Sequence, residues 1–516
     1  MAIKWVAVLS AIVAFGISGC GSSGDDQAAS SEPKTGGTLV YARTANGANL
    51  DNLDPLDEDL QTNNAYTLDK VFEGLVYQDA RGKIVPLLAQ SYKVSDDGLL
   101  WTFNLRTGVK FSDGSPLTSA DVVYSLQRHI KVGGALPLSA PITAVAAAGP
   151  DVVTISLAKP YTPLLAELAT FASVVVPDNL QGKDAKVFFN HPIGTGPFVL
   201  ESWDHSTGNV TFARNKDYWQ QGKPYLDKVK VVYIADNTQF VQQIQSGQIN
   251  VADVISPSSV EELAGNSKVS VQSVKSWNQN TIEFNTTSGP FTDKALRRAV
   301  SYAIDRDAIA RATTFGTGTG ATSYLPPTVQ YSEQHGDYLL YNLDKAKEEI
   351  ARSRYPHGVT VNFRYRSGTQ YIDQQAQIIQ AQLAKIGITV NLKAVENPQL
   401  WEYRKTRDFD IILFTPIADT SDPDNATTWL LDGKKDYFAT GYKDAALDAL
   451  IQRGREAADG DDRASVYKQI QEKASQDAPL IPLVYLAEIK ATTSDVHGLE
   501  VIPNGTTRWQ NVWIEH

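Results

Sequence analysis

A recurring order of strand, helix and strand in the second half of this 516-residue chain most constrains its fold. Residues 359–365 alternate apolar and polar side chains as a strand does, and residues 371–386 have helical apolar spacing before Gly387. The next apolar run, residues 409–414, is almost continuous, which is typical of a strand buried on both faces. Because parallel strands are joined by crossover helices, this pattern predicts an α/β fold with a parallel sheet.

The remaining chain predicts further short strands and helices of ordinary globular length. Thr118 and Asp121 have the spacing of a capping box at the start of one helix. We expect strands at 38–42, 99–105, 151–157, 229–234 and 388–392, and helices at 118–130, 238–246 and 292–304.

Composition and charge exclude several classes of protein. The hydrophobic fraction of 42% is that of a globular protein, and at roughly 150 residues per domain the length allows two to four domains. The formal net charge of −11 disfavours a nucleic-acid partner, because phosphate binding needs a basic surface. The single cysteine, Cys20, excludes an intrachain disulfide framework and a multi-cysteine zinc site, and we expect no cofactor.

The N-terminus explains this cysteine. Lys4 precedes an apolar stretch at residues 5–17, which is too short to cross a membrane, and Cys20 follows. The order resembles a bacterial lipoprotein signal peptide, which implies removal of residues 1–19 and a lipid on Cys20. The alternative is an ordinary secretory signal. Residues 20–37 are rich in Gly, Ser and Asp and predict a flexible tether.

Motifs of common enzyme families are missing from the sequence. There is no G-x-S-x-G, H-E-x-x-H or G-x-x-x-x-G-K-[ST] pattern, and the seven histidines show no metal-type spacing. We therefore predict a protein without catalytic activity.

Two charged residues are the best site candidates from the sequence itself. Asp419 follows the predicted buried strand at 409–414, and Arg366 ends the predicted strand at 359–365. Open α/β sheets bind ligands at the carboxyl ends of their strands, so both charges are expected at one rim. A zwitterion with an ammonium and a carboxylate would satisfy both. The alternative is that Asp419 caps a turn and Arg366 is a solvated surface residue.

Several segments in a fixed order carry a family resemblance. They are 37–40 (GTLV), 53–55 (LDP), 71–76 (VFEGLV), 86–92 (PLLAQSY), 105–114 (LRTGVKFSDG), 194–198 (GTGPF), 215–227 (NKDYWQQGKPYLD) and 477–483 (DAPLIPL). Together they resemble the solute-binding protein family 5 of ABC importers, the dipeptide, oligopeptide and nickel type, over nearly all of residues 36–516.

The resemblance implies a two-lobed fold of the periplasmic-binding-protein type, in the type II arrangement with an extra subdomain. The first lobe would comprise residues 36–276 and 490–516, with the extra subdomain at 80–190. The second lobe would comprise residues 277–489. The chain would cross between the lobes near Trp277 and near Glu488.

The family's ligand residues map onto individual positions of this chain. Asp419, four residues before Pro423, matches the aspartate that binds a peptide ammonium, and Arg366, ten residues before Ala376, matches the arginine that binds a dipeptide carboxylate. Further candidates are backbone groups of Ala418 and Ile417, the pocket walls Trp401 and Trp429, and the first-lobe residues Asp59 and Gln61. For each tryptophan, core packing is the alternative.

The resemblance implies an extracytoplasmic, monomeric lipoprotein, anchored to the cell membrane, that captures di- or oligopeptides and delivers them to an ABC permease and its ATPase. No nucleic acid would take part. Within the family, the alternative solutes are a metal chelate, haem, an opine or an oligosaccharide. Outside it, the alternatives are a secreted hydrolase and a surface chaperone or adhesin.

Overall fold

A computed structural model of the chain describes residues 32–44, 53–57, 67–134, 136–234, 236–333, 339–416, 418–432 and 440–515. The predicted signal peptide, the tether up to residue 31 and the candidates Cys20, Asp59, Gln61 and Ile417 lie outside these residues. The chain divides into two compact units, Met1–Pro33 and Lys34–His516, and the features below belong to the second.

Strands occur along the whole described chain. In chain order they are β1 (Thr38–Thr44), β2 (Val76–Gln78), β3 (Ile84–Pro86), β4 (Ala89–Val94), β5 (Leu100–Leu105), β6 (Ile142–Gly149), β7 (Val152–Leu157), β8 (Phe198–Trp203), β9 (Val210–Arg214), β10 (Lys228–Ile234), β11 (Val251–Ala252), β12 (Val269–Phe284), β13 (Thr319–Gly320), β14 (Val359–Arg366), β15 (Ile388–Val395), β16 (Ile411–Phe414), β17 (Leu480–Thr493), β18 (Val496–His497), β19 (Glu500–Val501), β20 (Thr507–Arg508) and β21 (Trp513–Ile514).

Helices alternate with these strands. They are α1 (Ser119–Val132), α2 (Leu164–Leu168), α3 (Ala185–Asn190), α4 (Asn237–Ser246), α5 (Val260–Ala264), α6 (Lys294–Ala303), α7 (Arg306–Thr313), α8 (Leu343–Arg352), α9 (Gln370–Ala384), α10 (Asn397–Thr406), α11 (Pro423–Leu431), α12 (Ala445–Glu456) and α13 (Asp461–Asp477). Among the residues that the structure describes, none of these helices combines the length and apolarity of a membrane span.

The predicted elements are confirmed with small differences at their ends. The Asp121 carboxylate accepts a hydrogen bond from the Thr118 amide at 2.7 Å, as the capping-box spacing predicts. The predicted helix start at residue 292 is wrong, because the Asp293 side chain caps α6 by accepting from the Ala295 amide at 2.9 Å. Likewise, the predicted strand at 409–414 begins only at Ile411.

The central sheet is mixed, and its order among the described residues is β15-β14-β16-β12-β17-β11-β1-β10-β9-β8, with β13 beside β17. The predicted parallel pairing is confirmed where β14 lies between β15 and β16, and where β1 lies between β10 and β11. The strands β12 and β17, which were not among the predicted strands, pair antiparallel along most of their length. These two strands run in opposite directions through the middle of the sheet and join its two parallel parts.

The pairing of β12 with β17 is interrupted at the site of the predicted crossing. Its register shifts between Lys275 and Gln279, and the Trp277 amide donates instead to the carbonyl of Pro503 at 3.1 Å. The Trp277 side chain is buried there. The chain therefore leaves regular pairing at one short segment of each strand, next to the site described below.

Separate apolar cores lie along the chain. One core surrounds β14 and β16 and includes Phe363 and Ile379, and another surrounds β1 and β10 and includes Trp509. A third fills the space between α1 and a four-stranded sheet of order β4-β5-β7-β6, and includes Phe103 and Val122. The division into two lobes and an extra subdomain stays a prediction.

Candidate functional site

The loop after β16 fixes Asp419 through its backbone. The Ala418 amide donates to Asn278 Oδ1 at 3.0 Å, and the Asp419 amide donates to Asn425 Oδ1 at 2.9 Å. Asn504 Nδ2 donates to the Asp419 carbonyl at 3.1 Å. Because one nearby residue, Asn425, and two residues from distant parts of the chain, Asn278 and Asn504, bind this loop, the backbone at Asp419 is held in place.

The Asp419 carboxylate is buried without a partner. Asp419 is only 7% exposed, and its Oδ1 atom has no hydrogen-bond partner among the described residues. Burial raises the pKa of this carboxyl group from 3.8 to about 7. A charge removed from water without compensation is costly, so a cation that enters this site gains a strong interaction.

The next two carboxylates in sequence, those of Asp422 and Asp424, are each paired with an arginine. Asp422 accepts two hydrogen bonds from Arg463, at 2.8 and 2.9 Å, and it also caps α11 by accepting from the Asp424 amide at 2.9 Å. Asp424 pairs with Arg455 at 2.8 Å. The capping role that we considered for Asp419 therefore belongs to Asp422.

Asp419 lines a cavity that we call the Asp419 cavity, with about 680 Å³ of space that is partly open to solvent. Its polar wall comprises Asp69, Glu73, Tyr77, Gln78, Asn504, Thr506 and Arg508, besides Asp419. Its apolar wall comprises residues of the segments 72–76 and 169–174 together with Leu87 and Ile502. A cavity that is mostly apolar with a few charged groups is typical of a small-ligand site.

The turn at Gly82 brings β2 against the Asp419 loop. Ser421 Oγ donates to the Gly82 carbonyl at 2.7 Å and accepts from Gln78 Nε2 at 2.8 Å. Gly82 has a φ of 78°, and a Cβ there would lie 2.9 Å from the Ser421 Cβ. Only glycine therefore allows this close approach between the turn after β2 and the Asp419 loop.

Arg366 lies at the same rim, as the sequence predicts. It is the last residue of β14, whose parallel pairing aligns Tyr365 with Leu413, so that it ends beside the end of β16. Arg366 is half-buried and has neither a hydrogen bond nor an ion pair among the described residues. It does not line the Asp419 cavity. Its positive charge acts on the neighbouring Tyr371. Burial raises the pKa of the Tyr371 hydroxyl, and the charge of Arg366 opposes this rise.

Polar side chains at the strand crossing lie next to the Asp419 loop, and the sequence patterns did not indicate them as part of the site. Glu488 accepts from Ser276 Oγ at 3.0 Å and from Asn278 Nδ2 at 3.1 Å, and burial raises its pKa. The negative charge of Glu488 also raises the pKa of Tyr371, whereas the positive charge of Arg366 lowers it. The available signal was the amide run at 278–280, whose side chains are buried in the second part of β12.

The two candidate tryptophans occupy different environments. Trp429 lies on α11 and lines a second cavity of about 650 Å³ of partly open space, which we call the Glu167 cavity. Trp401 lies on α10, is 46% exposed, and packs its ring edge-on against Phe414 at 5.1 Å between centroids. It lines neither cavity.

The charges of the Glu167 cavity are satisfied within the protein. Glu167 accepts from the Tyr161 hydroxyl at 2.7 Å and from the amides of Ser139 and Ala140, and burial raises its pKa to about 7. Asp424, on the same wall, pairs with Arg455. Within the described ranges, no group of three or more His, Cys, Asp or Glu side chains is arranged to hold a metal ion.

Comparisons with known proteins agree with this architecture. Residues 83–438 match the sequence model of the bacterial extracellular solute-binding proteins, family 5. The glutathione-binding protein GsiB of Shigella dysenteriae is 29% identical over 470 residues, which are 89% of this chain and 91% of that protein.

Two solved structures have the same fold. The periplasmic binding protein DppA of Helicobacter pylori, in complex with the peptide STSA, has a TM-score of 0.82 at 26% identity, covering 94% of this chain and 99% of that one. The binding protein AgaA of A. tumefaciens R10, in complex with agropinic acid, has a TM-score of 0.80 at 26% identity, covering 93% and 99%.

Proposed function

Since the chain belongs to family 5 of the bacterial extracellular solute-binding proteins, we propose that it captures short peptides at the Asp419 loop and delivers them to an ABC permease. The observation that carries this proposal is Asp419 itself, a buried carboxylate with no cation and an unpartnered oxygen. A peptide ammonium supplies both the charge and the hydrogen-bond donors that this carboxylate lacks.

The carboxyl end of the peptide is the proposed partner of Arg366. Its guanidinium is uncompensated among the described residues and lies at the same strand rim as Asp419. Two fixed charges of opposite sign orient a zwitterion by its main-chain ends. Side-chain selectivity is then left to the cavity walls, and the backbone at Ala418 and Ile417 offers groups to an extended peptide.

Transport would follow from lobe closure without covalent chemistry. In this proposal a lipid on Cys20 holds the protein outside the cytoplasmic membrane, the ligand closes residues 36–276 and 490–516 onto residues 277–489, and the closed monomer docks on the permease, which its ATPase drives. Asp59 and Gln61 would face the ligand from the first lobe.

Glutathione is a specific candidate within this class. The GsiB relatives are glutathione-binding proteins, and glutathione is itself a tripeptide with a free ammonium and free carboxylates. The AgaA neighbour binds agropinic acid, so an opine is the second candidate solute. Both candidates keep a carboxylate for Arg366, but an uncharged oligosaccharide would leave Asp419 without a partner.

Calorimetry on the delipidated protein tests the proposal. We expect Ala-Ala or Ala-Ala-Ala-Ala to bind, and we expect Asp419→Asn and N-acetylation of the peptide each to weaken binding by about 100-fold or more. Because both changes remove the same interaction, their effects should not add. Asp462→Asn, an exposed carboxylate on α13, is the matched control. Tight binding of acetylated peptide, or unchanged affinity in Asp419→Asn, would reject the ammonium role.

A further inference from the structure

A buried cation, Arg508, lines the same cavity as Asp419. We propose that Arg508 binds a carboxylate on the first residue of the ligand, so that the Asp419 cavity selects peptides whose first residue carries both an ammonium and an extra carboxylate. The inference rests on the proposed function, because it begins from a ligand ammonium at Asp419.

Strand geometry directs Arg508 into the cavity. Side chains of a strand alternate between its two faces, and Thr507 and Trp509 both face the core around Tyr41. The Thr507 hydroxyl lies 3.0 Å from the Tyr41 hydroxyl, and the Trp509 ring lies 4.9 Å from the Tyr41 ring. Arg508 therefore points the other way, and its guanidinium stacks on Tyr77 at 4.0 Å from the ring centroid.

The Arg508 guanidinium is buried and incompletely satisfied. The residue is only 9% exposed and forms no ion pair among the described residues. With its amide oxygen turned towards Arg508, Gln510 accepts from Nε at 2.9 Å and from Nη2 at 3.2 Å. A guanidinium has five N–H donors, so three of them remain for a ligand. A carboxylate fits this planar donor edge better than any other common group.

The carboxylates around Arg508 are already occupied by other donors. Glu73 accepts three hydrogen bonds from neutral side chains, Asp69 binds Lys70, and Glu500 accepts from the Ala80 amide at 3.1 Å. The Glu73 donors are Thr195 at 3.0 Å, Tyr218 at 2.9 Å and Trp219 at 2.8 Å. The Arg508 charge lowers the pKa of Glu73, which burial raises, but no described carboxylate lies within ion-pair distance of Arg508, so its donor edge stays open to a ligand carboxylate.

The ammonium end of the same cavity also has spare acceptors. Besides Asp419 Oδ1, the buried Gln78 Oε1 has no hydrogen-bond partner among the described residues. The Gln78 amide is held in this orientation, because Nε2 donates to Gly82 and to Ser421. An ammonium has three donors and suits two such acceptors. Arg366 lies outside the cavity and remains for the carboxyl end of the peptide.

Matched peptides on the wild-type protein test the inference. Calorimetry with Glu-Ala, γ-Glu-Ala, Gln-Ala and Ala-Ala compares ligands that differ in the extra carboxylate and its linkage. We expect Glu-Ala or γ-Glu-Ala to bind at least about 30-fold more tightly than Gln-Ala, and the tighter of the two identifies the linkage. Equal affinity of all peptides would overturn the role of Arg508 and leave the proposed function intact. Failure of every peptide to bind would overturn both.

Variants then assign the selectivity to Arg508. We expect the ratio of affinities for the acidic peptide and Gln-Ala to fall to within about threefold in Arg508→Gln, and to persist in part in Arg508→Lys. Arg364→Gln, which removes another ring-stacked guanidinium far from the cavity, should leave the ratio unchanged. If the ratio survives in Arg508→Gln, or if Arg508→Gln instead abolishes the effect of amidating the peptide carboxyl end, the proposal is wrong.

Discussion

The Asp419 cavity and the Glu167 cavity are of similar size, about 680 and 650 Å³, but they differ in whether their buried charged groups have partners within the protein. In the Glu167 cavity, Asp424 pairs with Arg455, and Glu167 receives hydrogen bonds from Tyr161 and from two backbone amides. In the Asp419 cavity, Asp419 has no ion-pair partner and Arg508 forms no ion pair among the described residues.

This difference separates charges that stabilise the fold from charges that are available to a ligand. A buried ion pair is neutralised within the folded chain. Removing one partner leaves the other charge buried without compensation, which destabilises the fold. A buried charge without a partner already carries that cost in the free protein, and the ligand relieves it. The contrast predicts that the same substitution has opposite effects in the two cavities.

The largest expected effect is the loss of an internal cation beside the Glu167 cavity. Arg455→Met leaves Asp424 without the guanidinium that contacts it at 2.8 Å, and we expect a loss of about 3–5 kcal/mol in the free energy of unfolding. Urea unfolding measures it. The control Arg352→Met removes a guanidinium that is 65% exposed, and should change stability by less than about 0.5 kcal/mol. A loss under about 1 kcal/mol in Arg455→Met would contradict the assigned pairing.

Asp419→Asn should have the opposite sign in the protein without ligand. Between its ordinary pKa of 3.8 and its folded value of about 7, the unfolded chain is ionised while the folded carboxyl group still holds its proton. Rising pH therefore lowers the stability of the wild type, by up to about 4 kcal/mol for a shift of about three pKa units. We expect Asp419→Asn to raise the unfolding free energy above pH 7.

A pH series of urea unfolding checks this sign. The gain in Asp419→Asn should be absent near pH 4, grow as the pH rises towards 7 and level off above 7. Asp424→Asn is the matched variant in the other cavity and should destabilise, because it leaves Arg455 with one carboxylate fewer. Destabilisation by both variants at pH 8 would show that Asp419 is compensated in the free protein.

Local sequence patterns were sufficient for the frame of this site. Parallel strands place their carboxyl ends at one edge, so the positions of Arg366 and Asp419 after two predicted neighbours put both at the same rim. The capping box at Thr118 was likewise visible, since its two residues are three positions apart.

Contacts between distant parts of the chain could not be predicted in the same way. Residues 276–284 of β12 are buried on both faces, but the amides at 278–280 interrupt the apolar pattern that would have predicted such a strand. Arg508 meets Tyr77 only because the C-terminal segment returns to the first strands, more than 400 positions away. Its neighbours in sequence, Thr507 and Trp509, give no sign of a cavity. Whether a buried charge is paired depends on such tertiary contacts, so the sequence patterns could not show that Asp424 pairs with Arg455 while Asp419 has no partner among the described residues.

Peptide affinity should depend on pH through Asp419 more than through Glu167, although burial raises both pKa values to about 7. An ammonium binds the ionised carboxylate, so below pH 7 we expect about a tenfold loss of affinity per pH unit. Calorimetry in buffers of different ionisation enthalpy should show proton release on binding at pH 6. Glu167→Gln should keep this loss of affinity below pH 7. If the loss disappears in Glu167→Gln, the titrating group is Glu167 in the other cavity and not Asp419.

The smallest expected effect concerns an ion pair at the surface near the Glu167 cavity. Lys159 and Glu456 lie 2.8 Å apart with side chains 44% and 38% exposed, so solvent and salt screen their attraction. Lys159→Ala should therefore cost no more than about 1 kcal/mol of stability at low salt and less at high salt, with peptide affinity changed by less than about threefold. Nearby, the Thr162 hydroxyl donates to the Ala457 carbonyl at 2.6 Å and is independent of this charge. A loss comparable to that of Arg455→Met would mean that exposed pairs also stabilise this region, and that burial does not mark the charges on which the fold depends.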